Sequence, residues 1–166
     1  MFENKPPEKR RKSGLVIGLV IALVVLGIAG FLLSRIPPAE DQTAKILEGS
    51  LTQGPEFDAL SQKIMIAKDE NKTVESPTGL GSISMFIHGN VYNRTGKTIT
   101  VLQVNVAVVN QQNKVIKDKN VLVVPVEQPS IPSGGMVPIT CTLDGFDRKD
   151  DRANYNFKVT AIKVEG

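Results

Sequence analysis

The sequence predicts an all-β fold, an immunoglobulin-like antiparallel β-sandwich preceded by one transmembrane α-helix. Three observations lead there. Residues 14–33, GLVIGLVIALVVLGIAGFLL, contain no charge and no strongly polar side chain. From residue 61 onward, apolar residues recur with period two, in runs separated by Pro, Gly and Asn. No helical period appears between those runs, which favours sheet packed on sheet over sheet covered by helices.

The apolar run sets the organisation of the chain. At about 1.5 Å of rise per residue it forms a helix about 30 Å long, the thickness of a bilayer's hydrocarbon core. The preceding tail, residues 1–13, carries Lys5, Lys9, Arg10, Arg11 and Lys12 against Glu3 and Glu8. Its net +3 is the whole formal charge of the chain, so residues 34–166 are balanced. Lys and Arg stay on the cytoplasmic side of a span. The expected topology therefore has the N-terminus in the cytoplasm and residues 34–166 on the far side of the membrane. A cleaved signal peptide would have a shorter apolar core and a small-x-small cleavage site. This run is longer and ends in Phe31-Leu32-Leu33-Ser34-Arg35. Gly14, Gly18 and Ala22 share a helix face, a spacing that lets two spans approach closely and self-associate weakly.

Residues 34–60 read as a linker. Pro37-Pro38 ends the apolar helix, and mixed charges with further Pro and Gly make a semi-stiff spacer with one helical turn around Thr43–Glu48. The β domain is expected over residues 61–166, with strands at Gln62–Lys68, Leu80–Tyr92, Thr98–Asn110, Lys114–Val124, Met136–Leu143 and Asn154–Val164. Ile83, Met85, Ile87 and Val91 share one face of the second strand. Val104, Val106 and Val108 do so on the third, and Ile139, Cys141 and Leu143 on the fifth. Asn93–Lys97 and Gln111-Gln112-Asn113 supply turns, and Asn and Gly tolerate positive φ there. Pro125, Pro129 and Pro132 mark an irregular crossing.

Gly89-x-Val91-x-Asn93-x-Thr95, the Val-rich third strand, Asn113-Lys114-Val115, Ile131-Pro132-Ser133-Gly134 and a final aromatic/Val strand together resemble the FxLYD-type family. These are bacterial extracytoplasmic β-sandwich domains often carried behind one membrane span. The resemblance covers about residues 57–165. It implies a fold and a location, the bacterial inner membrane with the C-terminal domain periplasmic or extracellular, and it supplies no catalytic residue. The N-terminal zinc ribbon of some relatives has no counterpart here, because there are no cysteines before the span.

Candidate chemistry is sparse. A balanced domain has no net field for a polyanion, so no nucleic-acid partner is expected. Cys141 is the one cysteine, which excludes an internal disulfide, and its alignment with Ile139 and Leu143 reads as a small buried hydrophobe. His88 is the one histidine and lies opposite in parity to Met85 and Ile87, beside Phe86. A blue-copper site, with two histidines and a cysteine, is excluded within one chain. Asp144, Asp147, Asp150 and Asp151 crowd one loop, but Arg148, Lys149 and Arg152 interleave, which favours a charge-paired turn over calcium. Asn71-Lys72-Thr73 and Asn93-Arg94-Thr95 match a glycosylation sequon that matters only in a eukaryotic secretory host. No phosphate loop, dinucleotide fingerprint or nucleophile elbow is present.

The expected function is a tethered, non-catalytic interaction or assembly module of the cell envelope, with no cofactor, metal or catalytic residue. The expected partners are the bilayer, through residues 14–33, and an envelope protein. A sandwich binding a small molecule or lipid is the alternative. Edge strands are the expected docking surface. Lys114, Lys117 and Lys119 mark the fourth strand as an edge.

Overall fold

The computed structural model describes residues 18, 21–28, 31, 39–79 and 81–165. The chain divides into two compact units, residues 1–42 and 43–166. In the first, Gly18, residues 21–28 and Phe31 are helical, and Ile21, Leu23, Val25, Leu26 and Phe31 stand exposed. Among the described residues no helix is long and apolar enough to cross a membrane. The remainder of the expected span, Gly14 included, and the whole basic tail lie outside the described residues.

Helix α1, Ala39–Leu47, is longer than the single turn expected around Thr43–Glu48. Gly49 ends it at φ 72°, and the Ser50 N–H donates to the Leu47 carbonyl at 2.9 Å. The last part of the expected spacer belongs to the β domain. Leu51 exchanges both backbone hydrogen bonds with Ile162, at 2.8 and 2.9 Å. Helix α2, Pro55–Ser61, then buries Phe57 and Leu60. A helix of about two turns, with its two buried residues three apart, is too short to show a period, and Pro55 at its start reads equally well as linker.

Seven strands follow: β1 Ile64–Lys68, β2 Val74–Pro77, β3 Ile83–Asn93, β4 Ile99–Val109, β5 Val115–Val124, β6 Met136–Phe146 and β7 Asn154–Val164. They form two antiparallel sheets of a sandwich. In the first, β3 is central, with β6 on one side. On its other side β1 pairs with the C-terminal half of β3 and β2 with the N-terminal half. The second sheet has the order β5-β4-β7. The fourth expected strand, marked by its lysines, is therefore an edge.

Two expectations change. Strand β2 lies inside what read as a loop, because all four of its residues are exposed and it contains Pro77. Such a strand has no buried face to leave an alternating signature, and its ladder comes from β3. Strand β6 continues past Leu143 to Phe146, so the acidic loop is shorter than it looked.

The core lies between the sheets. Ile87, Val91, Val104, Val106, Val108, Ile139 and Ile162 have no exposed surface. Each such side chain contributes about 1.5–3 kcal/mol relative to leaving it in water. Two positions of the Gly-x-Val-x-Asn-x-Thr run fix the end of β3. The fully buried Asn93 side chain donates to the carbonyls of Lys97, Ile131 and Pro132 at 2.8, 2.8 and 3.0 Å. Its Oδ1 accepts from the Thr95 N–H at 3.0 Å and the Thr95 hydroxyl at 2.7 Å. The β3–β4 turn is thereby tied to the crossing before β6. At Gly89 an added Cβ would meet the Ala67 carbonyl at 2.9 Å and the Phe157 ring at 3.0 Å. Only glycine lets that ring lie against β3.

Candidate functional site

The outer face of the first sheet is where the surface departs from expectation. Alternation places Phe86, His88, Asn90 and Tyr92 of β3 opposite in direction to the buried Ile87 and Val91. Register then builds rows across the strands. Met65, Tyr92 and Met136 form one, and Ala67, Asn90 and Pro138 the next. His88 stands beside Thr140 in the third. Val74, Phe86 and Thr142 form the fourth. No residue of these four rows carries a formal charge.

Beyond the apolar helical stretch, six large apolar side chains are exposed among the described residues: Met65, Val74, Phe86, Val115, Val126 and Met136. Four of them lie on this face, at 39% (Met65), 53% (Val74), 38% (Phe86) and 50% (Met136) exposure. Isolated exposed hydrophobics are ordinary, whereas a contiguous set marks a contact surface. The charges sit around it. Beyond Phe86, the Ser84 hydroxyl donates to Asp144 Oδ1 at 2.6 Å. Asp69, in the turn after β1, pairs with Lys72 at 3.4 Å. Glu127 accepts from the Thr140 hydroxyl at 3.4 Å. An uncharged centre carrying Met and an aromatic ring, with charge at its margin, is the anatomy of a protein interface.

His88 falls in the middle of this face, half-buried. Its backbone N–H donates to Thr73 Oγ1 at 3.1 Å, and its carbonyl accepts from the Asp69 N–H at 3.0 Å. Among the described residues no group of three metal-ligating side chains exists. Cys141 is buried beneath the same sheet, opposite Ile87, and burial pushes its thiol pKa up while Lys119 partly opposes the shift. A thiol so placed stays protonated and inert near neutral pH.

The acidic loop is a network of local bonds. Asp150 accepts from the Asp147 N–H at 2.7 Å, Asp147 from the Lys149 N–H at 2.9 Å, and Asp151 from the Gln111 N–H at 3.1 Å. Arg152 makes two bonds of 3.1 Å to Glu75 of β2, which hold its pKa above the ordinary value, and lies over the Phe146 ring. These carboxylates are spread over separate partners rather than converging on one point. Of the two sequons, Asn93 is fully buried and so closed to modification in the folded chain, while Asn71 lies in the exposed β1–β2 turn.

The edges differ from each other. Lys117 of β5 reaches over to β6, where its Nζ donates to the carbonyls of Asp144 and Gly145 and lies 5.2 Å from the Phe146 ring centre. It covers part of the free side of β6. On the opposite flank, α2, β1 and β7 enclose a half-open groove of about 350 Å³, with Phe57, Ile66 and Phe157 beside Asp58 and Lys158.

The uncharged face was readable in part. Residues 80–92 and 136–143 contain no Lys, Arg, Asp or Glu at either parity. Residues 99–109 share that property, so the decisive fact is that β3 and β6 are neighbours, and pairing is not written in either strand alone.

Two solved structures resemble the chain loosely. An X-ray structure of a Northeast Structural Genomics Consortium target matches at 11% identity over 64% of this chain and 86% of that one, with a TM-score of 0.40. A crystallised Bordetella pertussis protein with the provisional name ApaA matches at 10% identity over 61% of this chain and 86% of the other, with a TM-score of 0.31. Likenesses at that level transfer neither fold nor function. No family model and no curated protein matches the chain.

Proposed function

We propose that this chain is a membrane-tethered, non-catalytic interaction module of the bacterial envelope, and that it docks a protein on the outer face of its first sheet. The observation that carries this reading is the uncharged surface across β1, β2, β3 and β6, which holds four of the six large apolar side chains exposed among the described residues of the domain. A lipid surface would favour basic residues around such a patch, whereas Asp69, Asp144 and Glu127 stand at this margin. The tether reading rests on the uncharged run 14–33 behind a basic tail, and the exposed apolar helix at residues 21–28 supports it. The finer assignment to an immunoglobulin-like sandwich belongs to the same proposal. Its support is that β3 pairs with β6 in one sheet and β4 with β7 in the other, while the chain crosses between sheets from β3 to β4, from β5 to β6 and from β6 to β7. The FxLYD resemblance is likewise a proposal, and it rests on the sequence run that holds Gly89, Val91, Asn93 and Thr95.

The groove beside α2 favours a second reading, a small apolar ligand. Its volume lies near the lower end for ligand pockets, and it opens to solvent rather than into the space between the sheets, which the core residues fill. The docking reading is tested by placing a photo-crosslinking amino acid at Tyr92, or at Asn105 on the second sheet, in the full chain in intact cells. Protein adducts from position 92 and none from position 105 are expected. Equal yields at both positions, or none, would contradict it.

A further inference from the structure

We propose that the seam between β1 and β7 is a second binding site, and that it takes an extended polypeptide segment added as a strand along the free edge of β7. The proposal is independent of the outer face, since neither β3 nor β6 lines this groove.

A two-sheet sandwich has two seams, where strands of different sheets stand side by side without a shared ladder. The two seams of this domain differ. At the β5–β6 seam, Lys119 stands opposite the buried Val106, on the core side of β5, and its charge acts on Cys141. Lys117 stands opposite Val108 and donates to the carbonyls of Asp144 and Gly145. Inward-pointing lysines of this kind keep a further strand from adding to an edge. At the β1–β7 seam the corresponding positions are apolar. Ile64 and Ile66 stand opposite the buried Asn93 and Val91, and Phe157 and Val159 opposite the buried Val106 and Val104. With Phe57 of α2, these four form the floor of the groove.

The walls are two strand edges. Among the described residues β1 pairs with β3 alone, and β7 pairs with β4 and, at Ile162, with Leu51. In an antiparallel edge strand, every second residue directs its N–H and C=O away from its neighbour. Along residues 64–66 and 157–159 those outward groups have no backbone partner among the described residues. A row of donors and acceptors at strand spacing is matched by another backbone, and by no hydrocarbon. The fold already makes this pairing once. Leu51 runs antiparallel to β7 at Ile162, so the chain after it heads toward Val159. Gly54, at φ 97°, and Pro55 then turn it away into α2. The groove is the stretch of β7 that this segment leaves uncovered, and an added strand continues the same pairing.

Charge and length narrow the occupant. Asp58 and Lys158 both line the groove and are exposed, and among the described residues neither belongs to an ion pair. One charge of each sign favours neither a fatty acid nor a cation and suits a neutral chain. Lys68 Nζ donates to Asn154 Oδ1 at 2.7 Å and lies 4.9 Å from the Tyr155 ring centre, which closes one end, while α2 bounds the other. Three residues on each wall, at about 3.3 Å apiece, give a slot about 10 Å long. It holds about three residues of an extended segment, with a side chain of that segment on the apolar floor.

The test titrates the full chain, isotopically labelled for NMR in detergent micelles, with a capped peptide of alternating Thr and Val. The same peptide N-methylated at every internal amide is the control. The capped peptide should shift the amide signals of residues 64–66 and 157–159, and the methylated one should bind at least tenfold more weakly, having lost its ladder donors. Ile66→Lys gives β1 the guard that Lys119 gives β5, and it should also lower affinity at least tenfold with the rest of the spectrum unchanged. Equal binding of the two peptides overturns the proposal, because the backbone is then not what is recognised. Binding that leaves the groove signals unmoved, or no binding, overturns it as well, as does full affinity in a folded Ile66→Lys chain. Shifts of the same signals by dodecanol, with the peptide silent, would make the groove a small-ligand site and overturn the polypeptide as occupant. The two peptides are compared on the unchanged chain, so that result stands even where Ile66→Lys fails to fold.

Discussion

The two outer faces of the sandwich have the same backbone and opposite surfaces. On the second sheet, Asn105 of β4 donates to Asp118 at 2.8 Å and to Asn120 at 2.9 Å, both on β5. Thr160 of β7 donates to the Gln103 side chain at 3.0 Å, and Lys158 stands opposite Asn105. That face is closed on itself by side-chain hydrogen bonds and carries charge of both signs. The first sheet presents thioethers, rings and neutral polar groups. Both central strands, β3 and β4, are free of charge, so their neighbours make the difference: β5 and β7 bring charges to the second face, whereas β6 brings only Asp144, at the margin of the first. A bare face adds nothing to the stability of a monomer, and its conspicuous feature is what it could cover.

That contrast predicts a separation between what holds the fold and what contacts a partner. The largest loss of stability should come from the lock at the end of β3. Asn93→Ala removes five side-chain hydrogen bonds in a buried site, leaving the Thr95 N–H without its acceptor, and should cost about 2–4 kcal/mol in urea unfolding. Gly89→Ala should cost about 1–3 kcal/mol, because the new methyl group meets the Ala67 carbonyl and the Phe157 ring. Adding Phe157→Leu should recover part of that loss, since the ring is one of the two obstacles. On the second face, Asn105→Ala removes two cross-strand hydrogen bonds in an exposed setting and should cost about 1 kcal/mol. The smallest effect on folding should be Met136→Thr on the first face, within about 0.5 kcal/mol, although it removes an apolar residue from the proposed contact. A Met136→Thr variant as destabilised as Asn105→Ala would break the contrast by making the bare face part of the monomer's own support.

Much of the sandwich was legible because burial imposes a period. Ile87, Val91, Val104, Val106, Ile139 and Cys141 occupy the inward positions that alternation assigned to them. The turn at Asn113 has the positive φ that its residue type tolerates. Strand β2 was not legible, since an exposed edge of four residues has no inward face to mark. The turn of helix that buries Phe57 and Leu60 was hidden by its shortness. The candidate site stayed hidden for a different reason. His88, the acidic loop and Cys141 drew attention through side-chain chemistry, yet the feature that stands out is a lack of charge distributed over four strands. Tyr92 and Met136 lie 44 positions apart in sequence and become neighbours only through the β3–β6 ladder. A lone residue announces a metal or a nucleophile; a contact surface is a relation between strands.

The most direct measurement is oxidative footprinting of the methionines, which follows exposure of the thioether. Met85 is buried in the core and serves as an internal reference, while Met65 and Met136 report on the proposed contact. In the full chain in its native membranes, Met65 and Met136 should oxidise several-fold more slowly than in the same chain purified in detergent, with Met85 slow in both. Equal oxidation of Met65 and Met136 in the two conditions would show the face bare in the membrane and would contradict its role as a docking surface.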